Sequence, residues 1–285
     1  MQSIALYTDE IDDLEAVAQE FHDKISAKLP LLKNSCGIIF CDIEADELEL
    51  TEQLRKYYDF PIVGATAVAL LTNNEGYQNT GINFLVLTAD DCTFSVGITD
   101  EISPENAKAK ISDKYQELKA ALPGEEKLAL VYAPTMTDVS GDYLVKYLNE
   151  INPQLPIFGG MASDSFTIAD NRVFYNDISS QRAVALILIS GNIRPRFQHK
   201  YSIISTNDTL HTVTKSVDNV VYEVENGKFI DTLASTGIGI DNEDAYLKFV
   251  GTVFEAIVTV DDGQTISVMR DLNKFDFANG SATFL

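Results

Sequence analysis

Two short glycine-bearing runs hold the residue types whose spacing could do chemistry. Gly64-Ala65-Thr66 follows the apolar pair Ile62-Val63, and Gly159-Gly160-Met161-Ala162-Ser163-Asp164 follows Ile157-Phe158. Glycine after a buried strand lets the backbone approach a partner closely or take a positive φ. Loops at the carboxyl ends of strands are the usual ligand crevice of α/β folds. The backbone N–H groups of Gly159, Gly160 and Ala162 could hold a carboxylate. Thr66, Ser163 and Asp164 would add side-chain contacts, with Asp164 accepting from an ammonium group. That pattern points to a small polar ligand. The same residues have a purely structural reading, in which the glycines allow close packing and Asp164 caps a turn. Asp42 and Thr135, just past two other apolar runs, could line the same crevice or merely form turns.

Other chemistries find less support. No G-x-S-x-G surrounds a serine, and Ser163 has Asp164 beside it but no histidine nearby in sequence. No P-loop or dinucleotide fingerprint stands at a strand–helix turn, and Gly237-Ile238-Gly239 is a lone GxG. His22, His199 and His211 are scattered, and neither CxxC nor HxxxH occurs, so no metal site and no cofactor are expected. Asp12-Asp13, Asp90-Asp91 and Asp261-Asp262 are adjacent in sequence, so their carboxylates point apart and read as solvated turn residues. Non-catalytic binding is the expectation.

Those runs need strands to present them and helices to cover the strands, and the chain can supply both. It has 285 residues, 45% of them hydrophobic, enough for one large domain or two. Its net charge is −22, which repels DNA, RNA and anionic membrane surfaces. Cys36, Cys41 and Cys92 lack framework spacing, which fits a reducing compartment. The N-terminus has no signal-peptide pattern, and no stretch is long and apolar enough to insert in a bilayer. These features predict a cytoplasmic protein.

The strongest organisational signal is an imperfect internal repeat. The run IALY before Thr8-Asp9-Glu10-Ile11 matches FSVGI before Thr99-Asp100-Glu101-Ile102, 91 positions later. Amphipathic stretches follow both times, with apolar stripes Ile11, Leu14, Val17, Ala18, Phe21, Ile25 and Ala107, Ile111, Tyr115, Leu118, Leu122. Ser103 and Pro104 read as N-cap and first residue of the later helix. Each stretch ends in Leu-Pro and leads to an apolar strand, CGIIF or LALVY. Further helices are predicted over Ala45–Tyr57 and Val139–Ile151. FPIVGA then matches LPIFGG at an offset of 95, and each half closes on an apolar strand, Ile82–Leu87 or Ala183–Ile189. The predicted fold class is α/β, with duplicated β-α-β-α-β-β units whose sheets are covered by helices.

After about residue 195 the pattern becomes a strand-rich α+β second domain. Tyr201–Thr206 reads as a strand. His211–Ser216 and Val220–Val224 form a hairpin around Asp218-Asn219, and Phe229–Ala234 a short helix. Glu255–Val260 and Thr265–Leu272 form a second hairpin, turning at Asp262-Gly263, and Ala282–Leu285 a last strand.

These runs together resemble the FIST-domain family. FPIVGATA and LPIFGGMASD resemble the two turns of FIST N-terminal domains, except that Ala65-Thr66-Ala67 replaces a Cys-Ser-Thr run. Val213–Val224 with Asn226-Gly227, and SVMRD with Asp276, Gly280 and Ser281, resemble the FIST C-terminal domain. The resemblance implies residues 1–195 as an N-terminal domain and 196–285 as an incomplete C-terminal one. It implies a sensory, signal-transducing module that binds a small ligand such as an amino acid or related metabolite and reports to an output protein or domain. Arg270 matches a family arginine and is expected to pair with an acidic residue or a ligand carboxylate. Arg194 and Arg196 fall where the two domains should join. The rival reading is a protein–protein adaptor without a small-molecule ligand.

Overall fold

In the computed structural model, described over residues 1–135, 139–164, 170–198, 209–235, 237, 239–249, 252–259, 263 and 265–284, strands and helices alternate from the start. The chain divides into two units, Met1–Gln198 and His199–Leu285. In the first, β1 (Gln2–Thr8) leads to α1 (Leu14–Lys28), whose first turn is capped by Asp13 accepting from the Ala16 amide at 3.0 Å. β2 (Asn34–Cys41) follows, then α2 (Glu47–Arg55), where Asp46 accepts from the Leu48 and Glu49 amides. β3 (Ile62–Thr66), the hairpin β4 (Leu70–Thr72) and β5 (Gly76–Gln78), and β6 (Ile82–Ala89) close the first half.

The second half repeats that order. It comprises β7 (Cys92–Ile98), α3 (Ala107–Ala120), β8 (Glu126–Pro134), α4 (Gly141–Ile151), β9 (Ile157–Ala162), the hairpin β10 (Val173–Tyr175) and β11 (Ile178–Ser180), and β12 (Ala185–Gly191). One expectation needs correcting: α3 begins at Ala107, not at Pro104. The Ser103 hydroxyl donates to the Glu105 carboxylate at 2.7 Å instead of capping an amide. The Asn106 side chain accepts from the Ser103 amide at 2.7 Å, so residues 104–106 close a turn before the helix.

The halves do not share one sheet. The first sheet runs β1-β6-β2-β3 and the second β7-β12-β8-β9, the same order. In each, the last pair is parallel (β2 with β3, β8 with β9) and the other pairs are antiparallel. The halves differ at one edge. β10 of the second half crosses to the first sheet and pairs antiparallel with β3, setting Val173 against Ala65 and Phe174 against Gly64. Among the described residues, β4 and β5 pair only with each other.

Strand alternation stacks these parts as four layers. Ile39, Cys41, Ile82, Phe84 and Val86 face α1 and α2, meeting Val17, Phe21, Ile25, Leu50 and Leu54. Ala129, Val131, Ala133, Leu186 and Leu188 face α3 and α4. The other faces, with Cys36, Ile38, Val63, Leu130, Tyr132, Ala185 and Ile187, pack sheet on sheet. The three cysteines are buried free thiols. Burial pushes the Cys36 thiol up to about 12.

The second unit holds β13 (Val213–Val217), β14 (Val220–Val224), β15 (Gly227–Lys228), α5 (Phe229–Ala234), a 3-10 helix (Glu243–Phe249), β16 (Val253–Thr259), β17 (Thr265–Asp276) and β18 (Ser281–Phe284). Its sheet runs β13-β14-β18-β17-β16 around Phe229, Phe249, Phe275 and Phe284. The β13–β14 turn places Asp218 at φ 51°. The Tyr201–Thr206 strand, His199, Ile238, Asp261, Asp262 and Leu285 lie outside the described residues.

Candidate functional site

The carboxyl ends of β3 and β9 meet. The Ser163 amide donates to the Thr66 carbonyl at 3.0 Å, and the Val68 amide donates to the Ser163 hydroxyl at 2.9 Å. Thr66 is also tied to the strand beside it. Its amide donates to the Arg172 carbonyl and its Oγ1 accepts from the Arg172 amide, both at 3.0 Å. Beside this junction the two sheets part around a hollow of about 460 Å³. Ala65, Thr66, Gly159, Gly160 and Ser163 line it, so the meeting of the strand ends brings these sequence-predicted residues together.

Other predicted residues lie elsewhere. Gly64 faces the helix side, where a Cβ would stand 2.3 Å from both the Ile39 carbonyl oxygen and the Phe174 ring. Ala162 is packed in the core between the sheets, and its carbonyl accepts from the Thr135 hydroxyl. Asp164 is 5% exposed, and its Oδ2 accepts from the Asp170 amide at 3.1 Å. Asp42 forms a turn, its Oδ1 accepting from the Glu44 amide at 3.0 Å. Arg270 stands on β17 of the second unit, with Nη1 donating to the Met269 carbonyl at 3.1 Å. Arg194 and Arg196 are exposed in irregular chain after β12. Among the described residues, no cluster of His, Cys, Asp or Glu could hold a metal ion, and His22 stacks on Tyr57 with ring centroids 4.4 Å apart.

Sequence reasoning missed most of the wall. Ile38 and Phe40 from β2, Leu85 and Leu87 from β6, and Leu130 and Tyr132 from β8 line the hollow with Phe158 and Met161 of β9. Each of the first three pairs is spaced by two along its strand, the period of one sheet face, which was the available signal. Among the described residues, no charged side chain lines the hollow. Phe40 and Tyr132 meet edge to face at 5.3 Å, and Phe158 stacks on Phe197 at 6.2 Å. Tyr132 is 6% exposed, and its phenol makes no hydrogen bond among the described residues. Burial pushes that phenol well above its ordinary value, so it remains a protonated donor.

The FIST N domain model matches residues 35–227, from the start of β2 through Gly227 in β15. This chain belongs to the FIST family. FIST domains are sensory and signal-transduction domains. No curated protein matches the chain. The FIST match covers both glycine-bearing strand ends and the whole wall of the hollow. Among the described residues, no helix of this FIST protein is long and apolar enough to cross a membrane.

Proposed function

We propose that this FIST protein is a non-catalytic sensory module that binds a small molecule, an amino acid or related metabolite, in the hollow beside the β3–β9 junction. A signalling protein or domain would read out the bound state. The observation that carries the reading is the junction itself. Equivalent strands of two matching sheets end on each other beside a hollow of about 460 Å³, within the 300–1,000 Å³ typical of ligand pockets. Thr66 and Ser163 supply polar groups at its rim. A ligand that binds only the folded state must raise the midpoint of thermal unfolding. A panel of amino acids and organic acids is therefore expected to contain compounds that raise Tm. Gly160→Trp, which places an indole in the hollow, is expected to abolish the rise while the variant still unfolds cooperatively.

A second reading, a protein–protein adaptor, has one observation in its favour. β9 pairs with β8 on one side only among the described residues, and Phe158 on it is 60% exposed. If no compound moves Tm and a stable partner is pulled down through wild type but not Phe158→Asp, the adaptor reading replaces the sensor.

A further inference from the structure

The hollow's wall says what kind of molecule it can take, and the following rests on the sensory reading above. Phe40, Tyr132 and Phe158 give it three aromatic side chains, a surface suited to an aryl ring. Among the described residues no Lys, Arg, Asp or Glu lines it, so a charge carried inside would be desolvated without a partner from them, at high cost. One phenol stands in the wall. Tyr132 is 6% exposed, and its hydroxyl has no hydrogen-bond partner among the described residues. A ligand that displaces water from this hydroxyl must offer it an acceptor, because a donor left unpaired in the complex is costly.

We infer that the ligand is a small aryl compound whose ring enters the hollow uncharged, with one hydrogen-bond acceptor against Tyr132 and any charged group left outside in water.

The test is titration calorimetry of the full chain with four probes: phenylacetamide, phenylalanine, alanine and glutamate. Phenylacetamide is expected to bind at least about tenfold tighter than alanine or glutamate. Tyr132→Phe, which keeps the ring and removes the donor, is expected to weaken phenylacetamide by about tenfold, the worth of one hydrogen bond. Gly160→Trp is expected to abolish binding; a Cβ at Gly160 meets no atom within 4 Å, and Gly160→Leu serves if the larger side chain disturbs folding. Alanine or glutamate binding tighter than phenylacetamide, and lost in Gly160→Trp, would overturn the aryl class while leaving the hollow as the site. Phenylacetamide binding that survives both Gly160 variants would overturn the hollow itself. Unchanged affinity in Tyr132→Phe would remove the acceptor requirement, and silence from all four probes would overturn both readings.

Discussion

Arg172 joins two segments that the sequence keeps far apart. Its Nη1 donates to both oxygens of Glu47 at 3.1 Å, and its Nε and Nη2 reach Asp170. Ser179 donates to the same Glu47 at 2.6 Å, so α2 is tied to the β10–β11 hairpin. Glu47 is buried, and removing its cation leaves that charge uncompensated. Arg172→Met should cost about 3 kcal/mol in urea unfolding, and adding Glu47→Gln should recover most of the loss. Glu126 gives a pH-dependent case. Burial raises its carboxyl pKa, but hydrogen bonds from Tyr115, Lys119 and Asn152 outweigh that and hold it at about 2. A carboxyl lowered by folding contributes fully above its unfolded value, near 4.5, and loses that contribution as pH falls towards 2. Glu126→Gln should therefore cost about 1–3 kcal/mol at neutral pH, with the gap to wild type closing between pH 4 and 2.

At the scale of strands, the glycines of the two runs differ in what they do. A Cβ at Gly64 would stand 2.3 Å from the Ile39 carbonyl oxygen, and one at Gly159 would stand 1.8 Å from the Val131 carbonyl oxygen. Both are close backbone approaches that alanine cannot make without moving a strand. Gly64→Ala and Gly159→Ala should each lower Tm by several degrees, the effect of roughly 2 kcal/mol, while Gly160→Ala leaves Tm within about a degree. The sequence showed that glycines were needed here but could not rank them. Their separation depends on Phe174 and Val131, which reach them only through strand pairing. Element order was legible because period-two and period-3.6 stripes are local. The boundaries of α5 could be read from the run Phe229–Ala234 for the same reason. The start of α3 was not, since Ser103 had two acceptable partners and chose Glu105. The crossing of β10 to the first sheet left no local trace either, because pairing between strands over 100 residues apart is a tertiary choice.

The whole chain is two units with separate hydrophobic cores. The three clusters of the first lie entirely within residues 1–198, and the second unit closes its own around Phe275. Residues 1–198 expressed alone are thus expected to give a cooperative unfolding transition by circular dichroism. The candidate site lies wholly inside that unit. Its turns were visible in the sequence as glycine runs, but its wall was not, because six of its apolar residues come from three strands that only folding brings side by side.

One bare border follows from the crossing of β10. That hairpin covers the rim of the first sheet, whereas among the described residues the matching rim of the second, along β9, carries no strand. Uncovered β edges recruit one another in solution, and a net charge of −22 holds copies of this chain apart. Added sodium chloride shortens the reach of that repulsion to about 3 Å at 1 M. Light scattering should then register self-association that grows with ionic strength, the reverse of an interface built on ion pairs, and a lysine in place of Phe158 should suppress it.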